Sequence, residues 1–191
     1  MFDLIEGTVT HATFAGALLA ELSVSERGMI LKRVVKKHDE LTSGYKVADA
    51  DDGTCVNGAC RGADNLEFDY TRIEPDGRVH VEVKSSQLKW NSHASTLQWK
   101  VAFSGVKCDL HDELRLAVYT PDALLIFVHG SNAGVSKAGK VTEVKGMDVT
   151  FGSTKGECDW RVAVRIIRTK IEQKGCQFVG RISLVAPKGK A

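Results

Sequence analysis

No apolar run in this chain of 191 residues approaches the roughly 18 residues that a membrane-spanning helix needs. A secretory signal is missing as well. The N-terminus, MFDLIEGTVTHATFAGALLAEL, carries acidic residues where such a signal carries basic ones, and Glu21 interrupts its apolar stretch. The cytoplasm is therefore the expected compartment. The five cysteines are an odd number without a tight CxxC pair: Cys55 and Cys60 are separated by four residues, and Cys108, Cys158 and Cys176 are scattered. A zinc site would lack the second half of its usual spacing, and reduced thiols are the expectation. Strong net charge is also absent. With 26 Lys and Arg against 24 Asp and Glu, the formal charge of +2 excludes a histone-like electrostatic binder. Internal repeats are lacking too, and the length fits one soluble domain over residues 1–191.

The charges that are present are unevenly spread. Lys32, Arg33, Lys36 and Lys37 cluster near the N-terminus, and the end of the chain from about residue 140 to 191 is basic, with Arg161, Arg165, Arg168, Lys170, Lys174 and Arg181 among its cations. Both groups suit either solvated helix faces or a phosphate-binding cleft. A helical N-terminal part is expected over about 10–40, where Phe14, Leu18, Leu19 and Leu22 fall at helical spacing. Ser23-Val24-Ser25-Glu26 has the form of a capping box, so the helix either breaks or bends near Ser23. Thr42 to Ala63 reads as a surface loop. Its Asp49-Ala50-Asp51-Asp52-Gly53 run resembles a calcium loop but lacks the distal Glu.

The most informative stretch is Leu66 to Trp90, LEFDYTRIEPDGRVHVEVKSSQLKW. Leu66, Phe68 and Tyr70 mark one strand, Val79, Val81 and Val83 a second, and Glu74-Pro75-Asp76-Gly77 a turn between them. If those four residues form the loop, Ile73 faces Arg78, and counting outward puts Asp69 opposite Glu82. Lys84 then shares a face with Glu82, because side chains alternate along a strand. Opposed carboxylates about 5 Å apart destabilise a sheet. A hard divalent cation such as Mg²⁺, which prefers carboxylate and water oxygens, would relieve them.

Beyond the hairpin, Ser85 to Ser95 reads as polar and irregular, and Leu97 to Phe103 alternates as a third strand. Ala123 to Val128 reads as a strand buried on both faces, Gly130 to Gly139 as loop, Lys140 to Phe151 as further strand, Trp160 to Ile171 as helix, and Phe178 to Val185 as a last strand. A second Glu-Val-Lys, at Glu143 to Lys145, has no acidic residue in the preceding Gly130 to Lys140, so it reads as a solvated strand face. The tripeptide alone is not diagnostic; the register is.

Asp69, a strand, a turn, and a strand ending in Glu82-Val83-Lys84 resembles the core signature of the PD-(D/E)XK nuclease superfamily. The chain is closer still to restriction-endonuclease-like proteins with E-V-K-S-S, then Trp, then a strand, matched by Glu82 to Ser86, Trp90 and Leu97 to Val106. Their upstream L-L-A-E is matched by Leu18 to Glu21, and Phe68 stands at the nominal Pro. The likeness spans roughly Ala15 to Val128, with the catalytic core at about 64–128. It implies an α/β fold with a mixed central sheet flanked by helices, and a Mg²⁺-dependent DNA endonuclease in which Mn²⁺ can substitute. Type II-like restriction leads; a repair or junction-resolving nuclease, or a non-catalytic DNA-binding domain, is the alternative.

The resemblance also implies roles. Asp69, Glu82 and the Val83 carbonyl would hold the metal, and Lys84 would activate water and stabilise charge on the phosphorus oxygens. Glu21, with Glu26 as its rival, would reach the metal through water, and Gln98 would contact metal-bound water or phosphate. Ser85, Ser86, Lys89 and Asn91 are the DNA-contact candidates. His80 and His93 are weaker candidates for a general base, since a histidine-centred nuclease needs a different motif. The partner would be double-stranded DNA gripped by a homodimer, because cutting both strands of a symmetric site takes two active sites.

Overall fold

A computed structural model describes residues 13–15, 17–49, 68–93, 95–106, 111–130 and 147–184. The fold is mixed α/β. A six-stranded sheet runs in the order β1 (Lys46–Asp49), β2 (Tyr70–Glu74), β3 (Gly77–Gln87), β6 (Glu113–Tyr119), β7 (Ala123–His129) and β9 (Gln177–Ser183). Only β3 and β6 pair in parallel; the other neighbours are antiparallel. A smaller sheet joins β4 (Lys89–Asn91), β5 (Gln98–Val106) and β8 (Met147–Gly152).

Helix α1 (Val24–Ser43) starts where the capping box predicts. Glu26 N–H donates to Ser23 Oγ, and Ser23 N–H donates to Glu26 Oε2. Gly44 ends the helix in the left-handed region at φ 73°, a position that favours glycine, and its N–H donates to Glu40 O. The helix therefore runs to Ser43, a little past the expected end at about 40. Its buried residues, Arg27, Leu31, Val35 and Asp39, recur every fourth position, which makes one stripe with ions at both ends. Asp39 meets Tyr70, Arg72 and Arg115, so α1 crosses the face of the sheet that carries those residues. Helix α2 (Trp160–Glu172) is capped by Asp159 and buries Ala163, Ile167 and Ile171, again at spacing four. Its Arg168 lies 3.9 Å from the Phe178 ring centre on β9. Burying each of these aliphatic side chains contributes about 1.5–3 kcal/mol.

The architecture departs from the sequence reading in five places. The hairpin turn is tighter than four residues, because Glu74 already pairs with Gly77 and only Pro75 and Asp76 remain outside the ladder. Lys46 to Asp49, expected in a loop, pairs with β2 as an edge strand. The Ser85 to Ser95 segment is largely extended, completing β3 and forming β4. The alternating strand over Leu97 to Phe103 exists as β5, but in the second sheet. Strand β6 has no counterpart in the sequence reading, although it is the parallel neighbour of the Glu82 strand. Ala123 to Phe127 is buried as expected, and Val128 is half-buried.

Candidate active site

The hairpin register is Tyr70 opposite Val81, Thr71 opposite His80, Arg72 opposite Val79 and Ile73 opposite Arg78. The paired register ends at Tyr70, and Asp69 lies just outside it without a ladder partner: its N–H donates to Val81 O at 2.8 Å, and its Oδ2 accepts from Val83 N–H at 2.7 Å, which holds it beside the Glu82 stretch of β3. Because the N–H and C=O of a strand residue share a side, the Val83 carbonyl faces the same edge of β3. Lys84 Nζ lies 2.6 Å from Glu82 Oε1. On β6 the same face is apolar, since Glu82 pairs with Leu114 and Lys84 with Leu116, both fully buried. These leucines keep water off the carboxylate.

The electrostatic result is a poised Glu82. Burial first, and then the charge of Asp69, push its carboxyl up to about 7, against the opposing pull of Lys84 and Lys32. The fourth charge comes from α1. Lys32 Nζ sits 2.5 Å from Asp69 Oδ1, so each carboxylate has its own ammonium. The lysine cluster at residues 32–37 was visible in the sequence, but which member turns toward the hairpin depends on how α1 docks.

This donor set fits a hard cation. It offers carboxylate oxygens and a backbone carbonyl rather than thiolates or imidazoles, and Mg²⁺ is commonly held by one or two carboxylates plus waters and phosphate. Among the described residues, no three His, Cys, Asp or Glu side chains form a metal-holding group. The pair thus offers two carboxylates, with no third acidic, thiol or imidazole side chain grouped with them among the described residues.

The remaining candidates divide. Ser85, Ser86 and Lys89 line a cleft of about 390 Å³ with Arg27, Gly28 and Lys100, between the first turns of α1 and the second sheet. Ser86 Oγ also accepts from Ala102 N–H at 2.9 Å, tying β3 to β5. Asn91 is engaged in local structure, donating from Nδ2 to Thr96 Oγ1 at 2.8 Å. Gln98 is not part of the cluster. It pairs with Asn91, seven positions beyond Lys84, and its amide stands over Gly152. The sequence reading missed this because period identifies a strand's faces, not the sheet the strand joins.

Glu21 needs the same correction: it lies exposed in a turn before α1, not on the helix. Its rival Glu26 is spent on capping Ser23, whose hydrogen bonds hold its carboxyl below the usual range. His80 Nδ1 is 3.3 Å from Asp112, and its ring lies against Phe68. His93 Nδ1 contacts Ser95 Oγ at 2.7 Å. Glu143 to Lys145, Cys55, Cys60, Cys108, Asp51 to Gly53, Leu66 and residues 131–140 lie outside the described residues.

No family model matches the sequence, and no curated protein matches it either. Among solved structures, the bacterial homing endonuclease I-Ssp6803I superposes with a TM-score of 0.41 at 17% identity, covering 80% of this chain and 98% of that one. A likeness of that size leaves the assignment to the chemistry of the site.

Proposed function

We propose that this chain is a Mg²⁺-dependent endonuclease that hydrolyses phosphodiester bonds in double-stranded DNA through a PD-(D/E)XK-type site, with type II-like restriction as its role. One observation carries the reading: Asp69, bonded to the Val83 N–H, lies close enough to the buried Glu82 to raise its proton affinity, with Lys84 bonded to that same glutamate. A purely structural pair of acids gains nothing from that arrangement, whereas a cation between them removes the repulsion.

Asp69, Glu82 and the Val83 carbonyl would hold the ion. When bound, it supplies a Lewis acid for the phosphoryl oxygen and lowers the pKa of a coordinated water. Mn²⁺, also an acceptor of oxygen ligands, would substitute. Lys84 positions the attacking water from its fixed place beside Glu82 and stabilises negative charge growing on the phosphorus oxygens. The wall of Leu114 and Leu116 limits solvent, which strengthens both effects. Arg27, Lys89 and Lys100, with Ser85 and Ser86, offer cations and hydroxyls to the DNA backbone next to the site. A homodimer would bring two such sites to a symmetric sequence.

Glu82→Ala and Lys84→Ala should each reduce Mg²⁺-dependent plasmid cleavage by at least about 10²-fold while circular dichroism stays native. Full activity in either variant sinks the assignment. Sequencing the cut ends reads the role, a recurrent short motif marking restriction.

A further inference from the structure

Lys32 holds an oxygen that the nuclease reading assigns to a metal. Asp69 has two carboxylate oxygens: Oδ2 is occupied by the Val83 N–H at 2.7 Å, and Oδ1 by Lys32 Nζ at 2.5 Å. Glu82 Oε1 is likewise matched to Lys84. The four charges therefore sum to zero without any ion. Adding a divalent cation leaves a surplus of two positive charges, which an anionic phosphodiester is suited to offset.

The two lysines are not equivalent. Lys84 stands on β3, the strand that also carries Glu82, with 22% of its side chain exposed. Lys32 reaches in from α1 and is 44% exposed at the rim, while Asp69 is only 17% exposed. A flexible four-carbon stem with a solvated ammonium can move a few ångströms at small cost. Its Cα cannot, because Leu31 and Val35 beside it are buried and Asp39 is anchored to the sheet.

Resting on the nuclease reading, we propose that Lys32 is a displaceable counter-ion, which neutralises Asp69 in the metal-free site, yields Oδ1 to a divalent cation, and turns its ammonium to a phosphate of the bound DNA. Metal and DNA binding are then coupled through one side chain. Lys32 weakens metal binding in the absence of DNA and strengthens DNA binding in its presence. A merely structural bridge would do neither. One turn further along α1, Lys36 pairs with Asp49 at the same 2.5 Å, on the exposed edge strand β1 and away from the proposed metal ligands, which makes it the internal control.

Titration calorimetry with Mn²⁺ and no DNA, on wild type, Lys32→Met, Lys32→Gln, Lys36→Met and Glu82→Gln, provides the test, with circular dichroism confirming the fold. Both Lys32 variants should bind Mn²⁺ about three- to tenfold tighter than wild type, and Lys36→Met should match wild type. In Ca²⁺, anisotropy with a labelled duplex should show weaker DNA binding for the Lys32 variants and a salt slope lower by about one. Unchanged or weaker Mn²⁺ affinity in both Lys32 variants overturns the exchange while leaving the nuclease reading intact. Mn²⁺ binding that is absent from wild type, or indifferent to Glu82→Gln, overturns both.

Discussion

Asp39 and Glu82 are both buried carboxylates, 1% and 6% exposed, and they serve opposite faces of the same central sheet. On the α1 face, Asp39 accepts from Tyr70 OH at 2.8 Å, from Arg72 Nη1 at 3.0 Å and from Arg115 Nη2 at 2.7 Å. The two guanidiniums also share Glu113, and Arg72 reaches Glu74. Burial alone would raise the Glu113 carboxyl, but hydrogen bonds from Arg72 and the charges of Arg115 and Arg72 hold it below its ordinary value. On the other face, burial and a like charge win, and Glu82 is pushed up to about 7. Burial by itself decides nothing; the number and geometry of the hydrogen-bond donors do. A carboxylate bonded by two guanidiniums and a tyrosine holds a helix in place, whereas two neighbouring acids with one ammonium each keep a raised proton affinity and are poised to take up a cation.

The largest effect should come from breaking the Asp39 network. Asp39→Ala leaves two guanidiniums facing a space without their shared acceptor, and removing one member of such a buried network costs about 3–5 kcal/mol. The urea midpoint should drop accordingly with the m-value unchanged. A loss below about 1 kcal/mol would show that the network does not dock α1.

The Glu82 side should respond to pH instead. Glu82 binds its proton more tightly folded than unfolded, since its value rises from 4.5 to about 7. Between these limits the unfolded state holds fewer protons, so stability is greatest below about 4.5 and falls as pH rises toward 7. The span is on the order of 1–3 kcal/mol, at 1.4 kcal/mol per pKa unit. Melting in EDTA across pH 5–8 should show this decline in wild type and lose it in Glu82→Gln, with Mg²⁺ restoring wild type most at the alkaline end. A Glu82→Gln variant with the wild-type slope would remove the contrast between the two faces.

Each face was legible in the sequence to a different degree, for a physical reason. The closeness of Asp69 to Glu82 and Lys84 follows from local arithmetic, because a hairpin fixes cross-strand partners once its turn is located; the observed tightening at Glu74 and Gly77 leaves the sum of paired residue numbers unchanged as far as Tyr70, where the ladder ends. The capping box located the start of α1 by the same kind of local rule. The Asp39 network joins residues 39, 70, 72, 113 and 115, and no short-range pattern links them. Strand β6 was overlooked because its ELRLAVY mixes a half-buried Glu113 and a buried Arg115 into an apolar run, blurring the alternation. Gln98 and Glu21 were misplaced for a related reason: a motif orders residues along the chain, while sheet membership and helix onset are decided by packing.

The smallest effect belongs to Lys36 and Asp49, which separates geometry from burial. Their 2.5 Å contact is as short as that of Lys32 and Asp69, yet the Asp49 side chain is 71% exposed. Solvent screens such a pair, and ordering two side chains offsets much of the attraction, so Lys36→Met should cost about 0.2–1 kcal/mol and less in high salt. A double-mutant cycle with Asp49→Asn isolates the coupling from any change in the stem's packing on α1. Coupling above about 2 kcal/mol would mean that this edge is far drier than its exposure implies, and that β1 is clamped to α1 as firmly as β2 is by Asp39. A coupling near zero with a native fold would leave the ranking of the three charge groups as burial and hydrogen bonding set it: the guanidinium-bonded Asp39 structural, the crowded Glu82 reactive, the solvated Asp49 dispensable.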